Sequence, residues 1–171
     1  DPAKILEQFA YNPQSPLIFS SGLFLFLFLG FLLVYRMLLP NERLRILWCT
    51  AFSVYFYYKS SGLFFLLLVA SVVVDFNLAK WIEQAKTRGG KNGLLVLSLV
   101  ANLGMLAYFK YTNYFADLWN GLTGAGIGPF EIFLPVGISF FTFQSLSYTI
   151  DVYRGQLKAL DDMRDYAFFV T

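Results

Sequence analysis

Histidine is absent from this 171-residue sequence, and cysteine occurs once, at Cys49. The first absence removes the commonest acid–base catalyst and the commonest metal ligand together. The second excludes an internal disulfide and any thiolate cage, so no metal site and no bound cofactor is expected. Charge is also scarce. Only 14% of the residues are Asp, Glu, Lys or Arg, where a soluble domain carries about 25%. The net charge is +2, and the basic residues fall in small separated groups with no Lys/Arg-rich face, so no nucleic-acid partner is expected. The chain begins at Asp1 and not at Met, and is expected to be part of a longer translation product.

What is abundant is apolar. Hydrophobic residues make up 57%, aromatics 20% (20 Phe, 11 Tyr, 3 Trp), and the mean hydropathy is +0.57. A chain this small cannot hide so much apolar surface from water, so the lipid bilayer is its first expected partner. At roughly 20 residues per crossing there is room for about five spans and their loops. The sequence therefore predicts an all-α fold, a polytopic transmembrane helix bundle of about five spans plus the start of a sixth.

Uncharged runs place the spans at about 17–39, 44–59, 62–80, 93–115 and 132–150, with the sixth beginning at Tyr166. The first contains alternating Leu and Phe from Leu23 to Leu29. Both types are apolar, so the alternation creates no polar face, and its length fits a helix in lipid. No small-x-small cleavage site follows, so it reads as a retained span. The second is short, with Arg45 and Lys59 placed to snorkel. Ser60-Ser61-Gly62 predicts a tight turn into the third. Residues 116–131, with Gly121, Gly124, Gly126, Gly128 and Pro129, predict a flexible external loop. Their spacing matches no phosphate-binding glycine motif, and no internal repeat is present.

Loop charges test this segmentation. Arg36, Arg43 and Arg45 fall in the first loop; Lys80, Lys86, Arg88 and Lys91 in the third; Arg154, Lys158 and Arg164 in the fifth. The N-terminal tail has only Lys4, the second loop only Lys59, and the fourth none. Such alternation is what the positive-inside rule demands of five correctly placed helices. It puts the N-terminus outside and 151–165 in the cytoplasm.

Charges at membrane depth are functional candidates by default, and Asp75 and Lys110 are the two here. Their expected depths differ by roughly 15 Å, too far for an ion pair, and each is expected to snorkel to its nearer interface. The fifth span is more polar. Ser139, Thr142, Ser145 and Thr149 form one helical stripe, and Gln144, Ser147 and Tyr148 occupy much of the remaining circumference. Such a helix sits inside the bundle or lines a wet cavity. Its hydroxyls serve either as small packing groups or as the wall of a passage for substrate or acyl donor. Pro135 lies near its start, where a missing N–H costs little. Asp151 and Arg154, spaced i, i+3, are expected to pair and close its end. Cys49 reads as a small packing residue.

The stretch Phe133-Leu134-Pro135-Val136-Gly137-Ile138-Ser139-Phe140-Phe141-Thr142-Phe143-Gln144, continuing through Ser147-Tyr148 to Asp151-Val152-Tyr153-Arg154-Gly155, closely resembles the membrane-bound O-acyltransferase family. It is most similar to the bacterial branch containing alginate O-acetyltransferases and the lipoteichoic-acid D-alanyl transfer protein. Phe19-Ser20-Ser21 with Phe24-Leu25-Phe26-Leu27, then 52–58, then 102–111, resemble further segments of that branch in the same order. The resemblance implies the N-terminal part of an enzyme of the bacterial inner membrane. That enzyme passes an acyl group, acetyl or D-alanyl, to hydroxyls of an extracytoplasmic polysaccharide. It further implies an acyl donor (acyl-CoA or an acyl-carrier protein), an extracytoplasmic acyltransferase or polysaccharide partner, and a catalytic histidine in a C-terminal half that these residues do not include. No catalytic residue can therefore be placed in this chain, which alone is expected to be inactive. By position in the matching motif, Gln144, Tyr148, Asp151, Tyr153 and Arg154 are the candidates for lining a substrate path. Two readings compete: a transporter or channel fragment dependent on Lys110, and a non-catalytic membrane scaffold from a truncated gene.

Overall fold

The structure is a computed structural model that describes residues 11, 12, 17 and 21–171. Among the described residues all regular structure is helical, with no strand. Among them seven α-helices are described, in order: α1 Gly22–Met37, α2 Glu42–Ser61, α3 Phe65–Gln84, α4 Arg88–Leu106, α5 Thr112–Thr123, α6 Ile138–Tyr153 and α7 Met163–Val170. A 3-10 turn, Gly62–Phe64, joins α2 to α3, and a π-helical turn, Ala107–Tyr111, joins α4 to α5. Two helical stretches, Glu42–Gln84 and Arg88–Thr123, are long and apolar enough to cross a membrane, and α1 is apolar but 16 residues long. The chain divides into two compact units, residues 1–73 with 160–171, and residues 74–159.

In the first unit, helix starts are set by capping side chains: Ser21 Oγ accepts from the Phe24 N–H, and Asn41 Oδ1 from the Leu44 N–H. α1 meets α2 through aromatic rings. Phe24 lies edge-on to Phe56 at 5.5 Å, and Phe31 sits 4.5 Å from Phe52 and stacks on Trp48 at 6.1 Å. The Trp48 indole N–H is satisfied by the Phe31 carbonyl at 3.2 Å. At the far end of α2, Ser60 Oγ donates to the Leu17 carbonyl (2.8 Å), and Gly62 turns the chain at φ +60°. A Cβ on Gly62 would stand 2.7 Å from the Tyr11 ring, so glycine is required there twice over. α7 packs on α2.

In the second unit the dominant packing is α4 against α6. Two side-chain links give its direction. The Tyr153 hydroxyl donates to Asn92 Oδ1 (2.6 Å) at one end, and Lys110 Nζ donates to Ser139 Oγ (3.3 Å) at the other. The helices are thus antiparallel, and the links bracket about 27 Å of helical rise along α4 with its π turn and about 21 Å along α6.

Several helix ends differ from the sequence expectation. The helix expected at 93–115 runs on to Thr123, so the first half of the expected external loop is helical, and the chain leaves it only at Gly124. The remaining loop is not free. Asn113 both accepts from the Phe130 N–H and donates to its carbonyl, and Asn120 does the same for Ile127. The fifth helix begins at Ile138, not 132, because Pro135 holds Leu134 out of the helical region and Gly137 adopts φ +74°. α3 continues to Gln84 instead of stopping near 80. α7 starts at Met163, earlier than Tyr166, because Asp162 caps it. Residues 18–20 of the expected first span, Phe19 and Ser20 among them, and Lys4 lie outside the described residues.

Candidate functional site

The polar centre of the second unit is built from α3 and α4, whose sequences read as almost uniformly apolar. Asp75 on α3 is fully buried. Its Oδ1 accepts from Asn102 Nδ2 at 2.7 Å and from Ser98 Oγ at 3.1 Å, both on α4. Asn102 Nδ2 also reaches the Ser98 carbonyl at 3.1 Å. Ser98 and Asn102 lie about 9 and 15 Å of helical rise beyond Asn92, near the middle of the bracketed length. Asp75 therefore does not snorkel. The extra turn of α3 to Gln84 moves it away from the helix end, and a carboxylate at such depth persists only where donors replace water. Lys110 is exposed, with Nζ on Ser139 and 5.5 Å from the Tyr111 ring centre, and among the described residues it forms no ion pair with Asp75.

α6 buries Ile138, Phe141, Thr142, Ser145, Leu146, Tyr148, Thr149 and Val152, recurring at three- and four-residue spacing. The hydroxyl stripe is thus the inward face. Thr142, Ser145 and Thr149 are each 0% exposed, and none of their hydroxyl oxygens has a hydrogen-bond partner among the described residues. This is unusual. A helical hydroxyl without another partner ordinarily donates back to the carbonyl four residues earlier, as the more exposed Thr112 does to Tyr108 and Thr123 to Trp119. Three orphaned hydroxyls at i, i+3, i+7 form a column that can hydrogen-bond a polar group brought alongside it.

The path candidates fall along this helix. Tyr148 is buried within the inward face, Gln144 and Asp151 are half-buried, Tyr153 is held by Asn92, and Arg154 is exposed just past the helix end. Asp151 and Arg154 do not pair: among the described residues the ion pair present is Asp162 with Arg164. The helix closes through its backbone instead. Gly155 takes φ +72°, its N–H meets the Val152 carbonyl, and the Gln156 N–H meets the Asp151 carbonyl at 2.9 Å, a Schellman closure that leaves both side chains free of that duty. Ser98, Asn102 and Asn92 were not singled out by sequence. Their signal was the i, i+4 pair of small polar residues on an apolar helix.

At the first unit's polar end, Glu42, Arg43, Ile46, Asp162, Arg164 and Asp165 surround a depression of about 290 Å³. The Arg164 guanidinium and then its backbone N–H bond Asp162, with Arg43 adding attraction, and hold that carboxyl well down at about 2. Asp162 in turn raises Arg164. This cluster fastens the start of α7 beside the start of α2. Among the described residues no group of three His, Cys, Asp or Glu side chains could hold a metal ion.

No protein-family model matches the chain, and no solved structure matches it. Curated proteins do. The chain is 44% identical over 165 residues to the protein of Pseudomonas aeruginosa named "Probable alginate O-acetylase AlgI", covering 90% of this chain and 30% of the relative. It is 40% identical over 164 residues to the Azotobacter vinelandii protein of the same name, covering 90% and 32%. It is 34% identical over 153 residues to the "Peptidoglycan O-acetyltransferase" of Helicobacter pylori, covering 87% and 29%. The chain thus spans about a third of the length of these relatives. Together with its long apolar helices this makes the chain a membrane protein. Over about nine-tenths of its length it is homologous to alginate and peptidoglycan O-acetyltransferases, and the likeness carried by residues 133–155 to the alginate O-acetyltransferase branch of the membrane-bound O-acyltransferases is borne out.

Proposed function

We propose that this chain is the N-terminal portion of a membrane-bound O-acyltransferase that passes an acetyl group to hydroxyls of an extracytoplasmic polysaccharide. The observation that carries it is the 34–44% identity, across nine-tenths of the chain, to proteins named for acetyl transfer to alginate or peptidoglycan. In this reading α1, α2, α3, α4–α5 and α6 are five crossings of a bacterial cytoplasmic membrane, α7 starts a sixth, and the N-terminus is outside. The break at Gly62 supports the count, since 42–84 as one rod would be roughly 65 Å, twice the hydrocarbon thickness. The opposed α4 and α6, linked at points roughly 21–27 Å apart, support consecutive crossings.

An acceptor hydroxyl is a poor nucleophile until a base takes its proton. Its oxygen then attacks the acetyl carbonyl, and the donor, an acyl-CoA or acyl-carrier thioester, leaves as the thiol. The base belongs to polypeptide beyond these residues. What this chain contributes is the wall: Thr142, Ser145 and Thr149 offer hydrogen bonds along a protein-lined path. Gln144, Tyr148, Asp151, Tyr153 and Arg154 border it, and Lys110 with Ser139 stands at its outer end.

The test uses the full coding region that contains this segment, expressed in cells unable to acetylate their own polymer, with polymer-bound acetyl measured by NMR. The full-length protein yields ester and the 171-residue chain yields none. Thr142→Val with Thr149→Val removes two orphaned hydroxyls, which leaves unfolding resistance intact or slightly raised while acetyl transfer falls at least about tenfold, the equivalent of ~1.4 kcal/mol. A full-length protein without acetyl transfer overturns the assignment. Undiminished transfer by the double variant returns the stripe to plain packing.

A further inference from the structure

Between α1 and α2 lies a cleft of about 460 Å³, lined by Phe26, Leu27, Phe31 and Val34 from one helix and Trp48 and Phe52 from the other, with Gly30 in its wall. That volume is in the range of small-molecule sites, and the lining is overwhelmingly apolar: the Trp48 N–H is already bound to Phe31, and Tyr55, toward the end away from Trp48, is the other lining side chain with a polar atom. Gly30 is what opens it. A Cβ there would meet no atom within 4 Å, so a side chain could fit where the sequence supplies none. From Phe26 to Val34 the cleft runs about 12 Å along the helix, a slot and not a bowl.

Its chemistry changes at one end. Just beyond Val34 is Arg36, in the last turn of α1, and one turn before Trp48 is Arg45, whose guanidinium stands 5.9 Å from the Tyr35 ring. Neither has a carboxylate within ion-pair distance among the described residues. Arg43 differs, lying beside the Asp162 cluster. An apolar slot at membrane depth ending at two cations without anions is complementary to one molecule type, an acyl chain carrying a negative headgroup. We infer that the α1–α2 cleft seats an acyl chain of an anionic phospholipid, with its phosphate held by Arg36 and Arg45. The inference rests on the membrane reading of α1 and α2 and not on the transfer reaction, so either can fail without the other.

The experiment is native mass spectrometry of the 171-residue chain in detergent, titrated with dipalmitoyl phosphatidylglycerol or with phosphatidylcholine bearing the same chains. One phosphatidylglycerol binds at least tenfold more tightly than phosphatidylcholine. Arg36→Gln and Arg45→Gln each weaken it roughly fivefold, the weight of one cation at a lipid surface. Gly30→Phe, which fills the slot, abolishes the adduct while far-UV circular dichroism keeps its helix content. If Gly30→Phe disturbs folding, Gly30→Leu and the arginine pair carry the test. Equal binding of both lipids, or retention of the adduct in the filled variants, overturns the inference. So does a lipid-free dimer that Gly30→Phe converts to monomer, which would give the cleft to a second copy.

Discussion

Replacing Asn102 with alanine is the sharpest probe of the second unit, because it removes one donor from a carboxylate that water cannot reach. Asp75 accepts from Asn102 at 2.7 Å, the shorter of its two bonds to α4, and both residues are almost wholly buried. A hydrogen bond to a charged group contributes roughly 1.5–3 kcal/mol, whereas neutral side-chain bonds between membrane helices average about 0.6. Asn102→Ala should therefore cost about 2 kcal/mol, and Ser98→Ala about 1, its bond being longer at 3.1 Å. The decisive variant removes both sides. Asp75→Leu with Asn102→Leu strands no buried charge and should cost less than Asn102→Ala alone, as apolar replacement of buried pairs often does. Reversible unfolding in mixed micelles with increasing dodecyl sulfate, followed by circular dichroism, gives the three free energies. A loss under 0.5 kcal/mol for Asn102→Ala, or additive effects of the Asp75 and Asn102 changes, refutes a network that locks α3 to α4.

Gly155→Ala should destabilise the end of α6 by about 1–2 kcal/mol, since an L-residue is forced to φ +72°; hydrogen exchange at Gln156 and Leu157 would rise, and unchanged exchange would count against the closure described. Asp162 is depressed to about 2, so its contribution is complete above the ordinary carboxylate range near pH 4 and is lost as the pH falls from about 4 to about 2. Amide chemical shifts of α7 should move across that window, and in Asp162→Asn, which still caps the helix, they should not. With Cys49 replaced by alanine, a cysteine at Lys91 should resist a membrane-impermeant maleimide in intact cells while one at Gly124 reacts; the reverse pattern inverts the orientation.

The helical class and the inward face of α6 were legible because both follow from composition and period. Lipid-length apolar runs admit helices, and hydroxyls at Ser139, Thr142, Ser145 and Thr149 recur at the helical repeat. Helix ends were less legible, since charge was used to mark them and charge does not end a helix. Asp117 sits inside α5, while Gly124 and the Pro135–Gly137 pair, which control backbone angles, set the true limits. The Asp75 partners were hidden for another reason. Ser98 and Asn102 pair with a residue more than twenty positions away, and nothing local distinguishes them from small packing groups. The Asp151–Arg154 spacing misled because a glycine in the left-handed region closes a helix without help from side chains.

Two kinds of buried polarity stand side by side on α4 and α6, and under the proposed function their difference separates scaffold from path. Asp75 is satisfied by fixed neighbours, and a carboxylate so enclosed has no spare geometry with which to follow a passing group. The α6 hydroxyls are the opposite case: buried, regularly spaced and without a partner among the described residues. Each such group costs on the order of 1–3 kcal/mol while unsatisfied, and alanine or valine at the same positions would pack as well without that cost. Stability alone therefore does not account for serine and threonine at Thr142, Ser145 and Thr149. A helix that holds three open donors toward the interior is poised for something polar to arrive there. Its antiparallel partner α4, fastened to α3 by the Asp75 network, supplies the rigid wall such an arrival needs.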